Sequence, residues 1–226
     1  MYDDFTLPGS IVNTLSTVQT FGLMLLAILT ASVVGIEYGL GTLRTALVRG
    51  TGRISYVAGK FLMLSVVAAG ALMIGAGVAA LSSVVAGSLV ASPSGYAGSS
   101  TSWADASIAF GKTWSSLLPY MALTGFVTVF ARSSAIGMAV GLSYLFAEQI
   151  IVGLLSGLFN WFQDVADFLL VRNIMAWAGG SSFGMPAMGG PPLLQTFLIL
   201  AIYTLLLMGS AFWLIRKRDV AGASGG

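Results

Sequence analysis

Cysteine and histidine are both absent from this chain of 226 residues, and only 8% of it is charged. With no thiol and no imidazole there is no zinc site on those ligands, no cysteine nucleophile and no serine–histidine dyad. Paired carboxylates are missing too, because of the eight acidic residues only Glu148 falls inside a long apolar run. An intramembrane enzyme of the aspartyl type needs two. No catalytic residue and no metal ligand is therefore assigned, and an enzyme is disfavoured. One stretch, Ala104 to Thr113, ends in Gly111, Lys112 and Thr113 like a phosphate-binding loop, but Ala106 stands where the first glycine is needed. The Ser/Gly-rich segment ahead of it is also no buried strand.

What the chain has is hydrophobicity: 57% of its residues are apolar and its mean hydropathy is +0.92. No soluble domain covers its surface from such a composition. Five runs, about residues 16–36, 61–88, 114–131, 135–158 and 193–215, are long enough to cross a hydrocarbon core of about 30 Å as helices. None alternates apolar with polar residues as a membrane β-strand would. The fold expected is an all-α polytopic transmembrane helix bundle with five spans, one domain over residues 1–226.

The basic residues set the orientation, since loops rich in Lys and Arg stay cytoplasmic. Arg44, Arg49, Arg53 and Lys60 lie between spans one and two, Arg132 between three and four, and Arg216, Lys217 and Arg218 after span five. Even numbers of crossings separate these segments, so they share one face. The N-terminus, with Asp3 and Asp4, is then outside, with no cleavable signal, and the C-terminus cytoplasmic. Residues 91–112 read as a Ser/Gly-rich outer connection anchored by Trp103 and Trp114. Residues 159–192 are also outer. Trp161, Phe162, Val165, Phe168, Leu169 and Ile174 recur there at helical spacing, which predicts an external amphipathic helix on the outer leaflet, capping the bundle.

Two places carry candidate function. The first is the basic loop, residues 37–60, where Thr42 can N-cap a short helix that Gly50 or Gly52 stops. Leu43, Ala46 and Leu47 share a face of that helix, and Arg44 and Arg49 point elsewhere. Such a helix fits either a protein surface or anionic lipid head groups. The second is Glu148, because a carboxylate within a span is costly. At 100° per residue, Gly137 and Gly141 lie about 20° from it, so it shares a close-packing face with a G-x-x-x-G pair. That places it on a substrate path or in helix packing. A second pair, Gly153 and Gly157, lies about 120° and 160° round from Gly141 and invites a second packing neighbour.

Glu37, Tyr38, Gly41, Thr42, Leu43, Arg44, then Arg53 and an Ala-Gly-Lys ending at Lys60, resemble the cytoplasmic-loop signature of bacterial type-2 ATP-binding-cassette (ABC) exporter permeases. The ending Arg216, Lys217, Arg218, Asp219 is similar to theirs. The resemblance covers essentially the whole chain and implies that the loop helix is a coupling helix, docked by Leu43 and Leu47 in a groove of a separate ABC ATPase subunit. Glu37 would pair with Arg44 or Arg53 to pin it, an exposed pair worth about 0–1 kcal/mol. The family usually has six spans, so the resemblance also implies that the usual first span is lacking here. It further implies a second permease copy or homologous half, a bacterial cytoplasmic membrane, no nucleic-acid partner, and no cofactor in this chain, ATP and Mg being bound by the partner. The alternative from another class is a non-transporting scaffold subunit of a larger complex.

Overall fold

The computed structural model of the chain describes residues 7–40, 53–89, 101–159, 161–179 and 191–217. They form seven helices: α1 (Gly9–Leu40), α2 (Arg53–Leu89), α3 (Trp103–Ala131), α4 (Ser134–Leu158), α5 (Phe162–Ala166), α6 (Leu170–Ala178) and α7 (Leu193–Lys217). Among the described residues no strand occurs. Helices α1, α2, α3, α4 and α7 are each long and apolar enough to cross a membrane. The chain is an all-α bundle with five candidate membrane spans, as the apolar runs predict.

Helices α1 and α3 form the centre, with α2, α4 and α7 around them. Burial along α1 shows why. Leu15, Gln19, Leu23, Leu26, Ala27, Thr30, Ala31 and Val34 are buried, and their spacing of three and four residues makes one continuous stripe. Small residues on that stripe let neighbours approach. A side chain at Gly35 would put its Cβ 2.5 Å from Ser134 Cβ and 2.8 Å from Ser134 N, so α1 lies directly on the first turn of α4. On α3, a Cβ at Gly125 would collide with the Phe61 ring. That ring in turn meets Phe212 edge-on at 6.5 Å, joining α2, α3 and α7.

Helix ends are set by local chemistry. Helix α3 starts at Trp103, ahead of its apolar run, because Ser102 and Asp105 form a reciprocal capping box. The stretch from 103 to 112, expected to be connection, is thus helical. It includes Gly111 and Lys112, which with Thr113 lie within α3 and not in a phosphate loop. At the other end Arg132 adopts φ 52° and Ser133 caps α4 through Ile136 N, giving a tight α3–α4 hairpin.

The amphipathic segment after α4 is helical but in two pieces. Helices α5 and α6 are separated at Asp167–Leu169, and α6 packs against α3, α7 and α4. Leu170, Val171, Asn173, Ile174 and Met175 form its buried face. Of the six apolar residues at helical spacing, Phe162 and Ile174 are buried, Leu169 is half-buried, and Trp161, Val165 and Phe168 are exposed. The break shifts the register between the two pieces, so no single helical face runs through both.

Candidate functional site

Helix α4 buries only four residues, Gly137, Gly141, Leu145 and Glu148, and they lie on one face. A Cβ at Gly137 would run into the Thr128 hydroxyl, and one at Gly141 would come within 3.1 Å of Thr124 Oγ1 and 3.2 Å of the Ala27 methyl. Both threonines turn their hydroxyls back on α3, Thr124 Oγ1 to Tyr120 O at 3.1 Å and Thr128 Oγ1 to Thr124 O at 2.7 Å. Their hydrogen bonds are therefore met inside their own helix, which leaves compact side chains to seat against glycine. Tyr120, fully buried, donates its hydroxyl to Gly141 O.

Glu148 ends this face. It is 5% exposed, and its Oε1 accepts the Arg172 backbone N–H at 2.7 Å. Arg172 is the third residue of α6, whose preceding residue Leu169 supplies no side-chain cap. The first N–H groups of a helix lack intrahelical acceptors and carry its positive dipole end. Glu148 therefore caps α6 from another helix. Three tyrosines, Tyr120, Tyr144 and Tyr203, lie within electrostatic reach of the carboxylate, and the Arg172 guanidinium is turned to Asp167 at 2.9 Å.

Helix α6 is held by three further helices. Gln19 of α1, fully buried, donates from Nε2 to Ile174 O at 3.1 Å and to Ser116 Oγ at 3.0 Å. Trp177 donates from Nε1 to Ser115 Oγ of α3 at 2.9 Å, meets the Phe197 ring of α7 at a tilt with centroids 5.6 Å apart, and has Lys112 Nζ 5.5 Å from its ring centre. Tyr203 of α7 donates to Phe168 O at 3.2 Å. The docking point on α3 lies just ahead of the in-helix Pro119, which takes away the N–H that would bond the Ser115 carbonyl. Within the arm, Asn173 Nδ2 donates to Asp167 O and Leu169 O, bracing the α5–α6 break.

Sequence reasoning found Glu148, Gly137 and Gly141, which the structure brings together. It missed Gln19, Asn173, Trp177 and Tyr203. Gln19 carried a signal, as a strongly polar residue within an apolar run, where buried polar groups have partners. Gly153 and Gly157 have nothing within 4 Å, so that face of α4 is open.

The loop candidates divide. Gly41, Thr42, Leu43, Arg44 and Leu47 lie outside the described residues. Glu37 falls in the last turn of α1 and Arg53 opens α2, with only their helical backbone described. Lys60 is placed: its Nζ donates to Val33 O at 2.7 Å and lies 5.2 Å from the Tyr56 ring centre. It clamps α2 to α1 at the end from which the basic loop springs. Among the described residues no group of three or more Asp, Glu, His or Cys is arranged to hold a metal.

These features define a multi-pass, all-helical membrane protein whose most elaborate polar site fastens a short helix pair to the bundle. The chain belongs to the family described as protein of unknown function DUF2705, whose model matches residues 6–221. No curated protein and no solved structure matches it.

Proposed function

We propose that the chain is the membrane-spanning permease subunit of an ATP-driven exporter, paired with a second permease copy or homologous half. A separate ATPase subunit binds ATP and Mg and hydrolyses the nucleotide. The observation that carries the reading is the build of the α1–α2 end. These helices have 32 and 37 residues, about 48 and 56 Å at 1.5 Å per residue, against a hydrocarbon core of about 30 Å. They exceed what crossing requires, and Lys60 fastens them together beneath the basic loop. A push on residues 41–52 is delivered to α1, the helix against which α2, α3 and α4 all pack. In this reading Leu43 and Leu47 seat in the ATPase, Glu37, Arg44 and Arg53 orient the loop, and the loop faces the cytoplasm.

The test is affinity capture of the tagged, detergent-solubilised protein from its native membrane, with mass spectrometry and a vanadate-sensitive ATPase assay on the eluate. A stoichiometric ATPase subunit that is lost with Leu47→Asp is the expected result. Capture of membrane subunits without ATPase activity would sink the exporter reading in favour of the scaffold. One observation does favour that second reading: the open Gly153 and Gly157 face, which suits close packing by another helix.

A further inference from the structure

We propose that α5 and α6 form an arm that swings away from the bundle, and that the Glu148 carboxylate is the latch holding it shut. The proposal does not depend on ATP-driven export; it concerns how this fold opens at the end where α4 stops and α7 starts.

The contact between arm and bundle is part apolar and part polar. Helix α6 has nine residues, too few to be a stable helix on its own, so its order comes from docking. Four polar ties, each from a different long helix, hold the arm: Glu148 of α4 to Arg172 N, Gln19 of α1 to Ile174 O, Ser115 of α3 to Trp177, and Tyr203 of α7 to Phe168 O. Leu170, Val171, Ile174 and Met175 supply the apolar part of the seam, and the polar ties exchange for water on opening, which offsets part of the cost of exposing that face. The closed contact also leaves acceptors unmet on both sides. Gln19 Oε1 on the bundle and Asn173 Oδ1 on the arm are buried with no hydrogen-bond partner among the described residues. Burying unmet polar atoms costs free energy that wetting would recover. Closure is therefore opposed by the same surface that forms it.

Glu148 tips that balance because it alone combines a carboxylate with a helix N-terminus. With Leu169 offering no side-chain cap, removing the carboxylate strands the first N–H groups of α6 in the protein interior. Gln19, Ser115 and Tyr203 tie the arm elsewhere, at Ile174 O, Trp177 Nε1 and Phe168 O. Opening would bring Gln19 and Ser116, both fully buried in the closed form, to the surface as a polar strip on α1 and α3. A strip of that kind is out of place in a purely apolar packing face.

The natural lack of cysteine makes this testable in the full chain. Ile174→Cys puts one thiol on the buried face of the arm, and Leu64→Cys puts one in the bundle core on α2; both positions are 0% exposed. Each reporter is reconstituted in lipid nanodiscs, which leave both membrane faces accessible, and timed with a charged maleimide. Glu148→Leu is expected to speed labelling at 174 by about tenfold or more and to leave 64 slow. Glu148→Gln, which keeps an acceptor oxygen, is expected to bring 174 back close to the parent rate. The latch is refuted by an unchanged rate at 174 in Glu148→Leu, by an equal rise at 64, which means general loosening, or by Gln behaving as Leu does.

Discussion

A methyl group at Gly137 would occupy the place of the Thr128 hydroxyl, and one at Gly153 would meet nothing within 4 Å. Both glycines sit on the same helix, so helix propensity favours alanine equally at both. The difference between them is packing alone. Gly137→Ala is expected to lower stability by about 1–3 kcal/mol through overpacking, and Gly153→Ala to raise it slightly or leave it unchanged. Thermal aggregation of the detergent-solubilised variants, scored side by side, decides it; equal behaviour would mean that α4 does not lie on α3 as described. Lys60 makes a second prediction at this scale. Lys60→Met keeps much of the aliphatic stem and removes the bond to Val33 O, with a loss of about 1–3 kcal/mol for a charged donor to a part-buried acceptor. An unchanged melting temperature would place the ammonium in water.

Helix α3 gains its first turns from a cap, and that cap can be removed without touching the core. Asp105→Ala breaks the Ser102 N to Asp105 Oδ2 bond of 2.8 Å on an exposed surface. Helix caps are worth about 1 kcal/mol, so amide exchange should quicken over 103–106 and stay slow around Tyr120. Exchange rising along all of α3 would show that the helix depends on its end, not on its buried stripe. Trp177→Phe tests the docking of α6 in the same way: the ring contact with Phe197 is kept and the bond to Ser115 lost, at about 1 kcal/mol, which amide exchange over 170–178 would register as a faster rate. These elements also mark how far the sequence could be read. The five spans were legible because hydropathy over about 20 residues is a strong, local signal. Glu148 with Gly137 and Gly141 was legible because a single helical period joins them. The start of α3 was not, since the weight of Ser and Gly before it masked a capping box in Ser102 and Asp105. Nor was the splitting of α5 from α6. It rests on Asn173 bonding back to Asp167 and Leu169, and on a carboxylate 24 residues earlier in the chain. Contacts at that separation have no periodic trace.

At the scale of the whole molecule, burial and charge divide the bundle along different axes. Burial runs across it: α1 and α3 are the most enclosed spans, while α4 and α7 present most of their surface outward. Charge runs along it: eight of the ten basic residues fall in three segments, 44–60, 132 and 216–218, that even numbers of crossings put on one face. The α5–α6 arm, with Asp164 and Asp167, then belongs to the other face. Under the proposed function, a push on the basic loop would pass through α1 to Gln19 and the arm it holds. That reading fails if the charge asymmetry does not set orientation. Single cysteines at Gly50 and Ala221 should be labelled by an impermeant maleimide from the cytoplasmic side of sealed vesicles, and single cysteines at Ser99 and Gly184 from the opposite side. Labelling of position 50 and position 184 from the same side would break the five-span path itself. Labelling of all four with sides exchanged would keep the path and turn it over, putting the arm in the cytoplasm and removing the basic loop from the reach of any cytoplasmic ATPase.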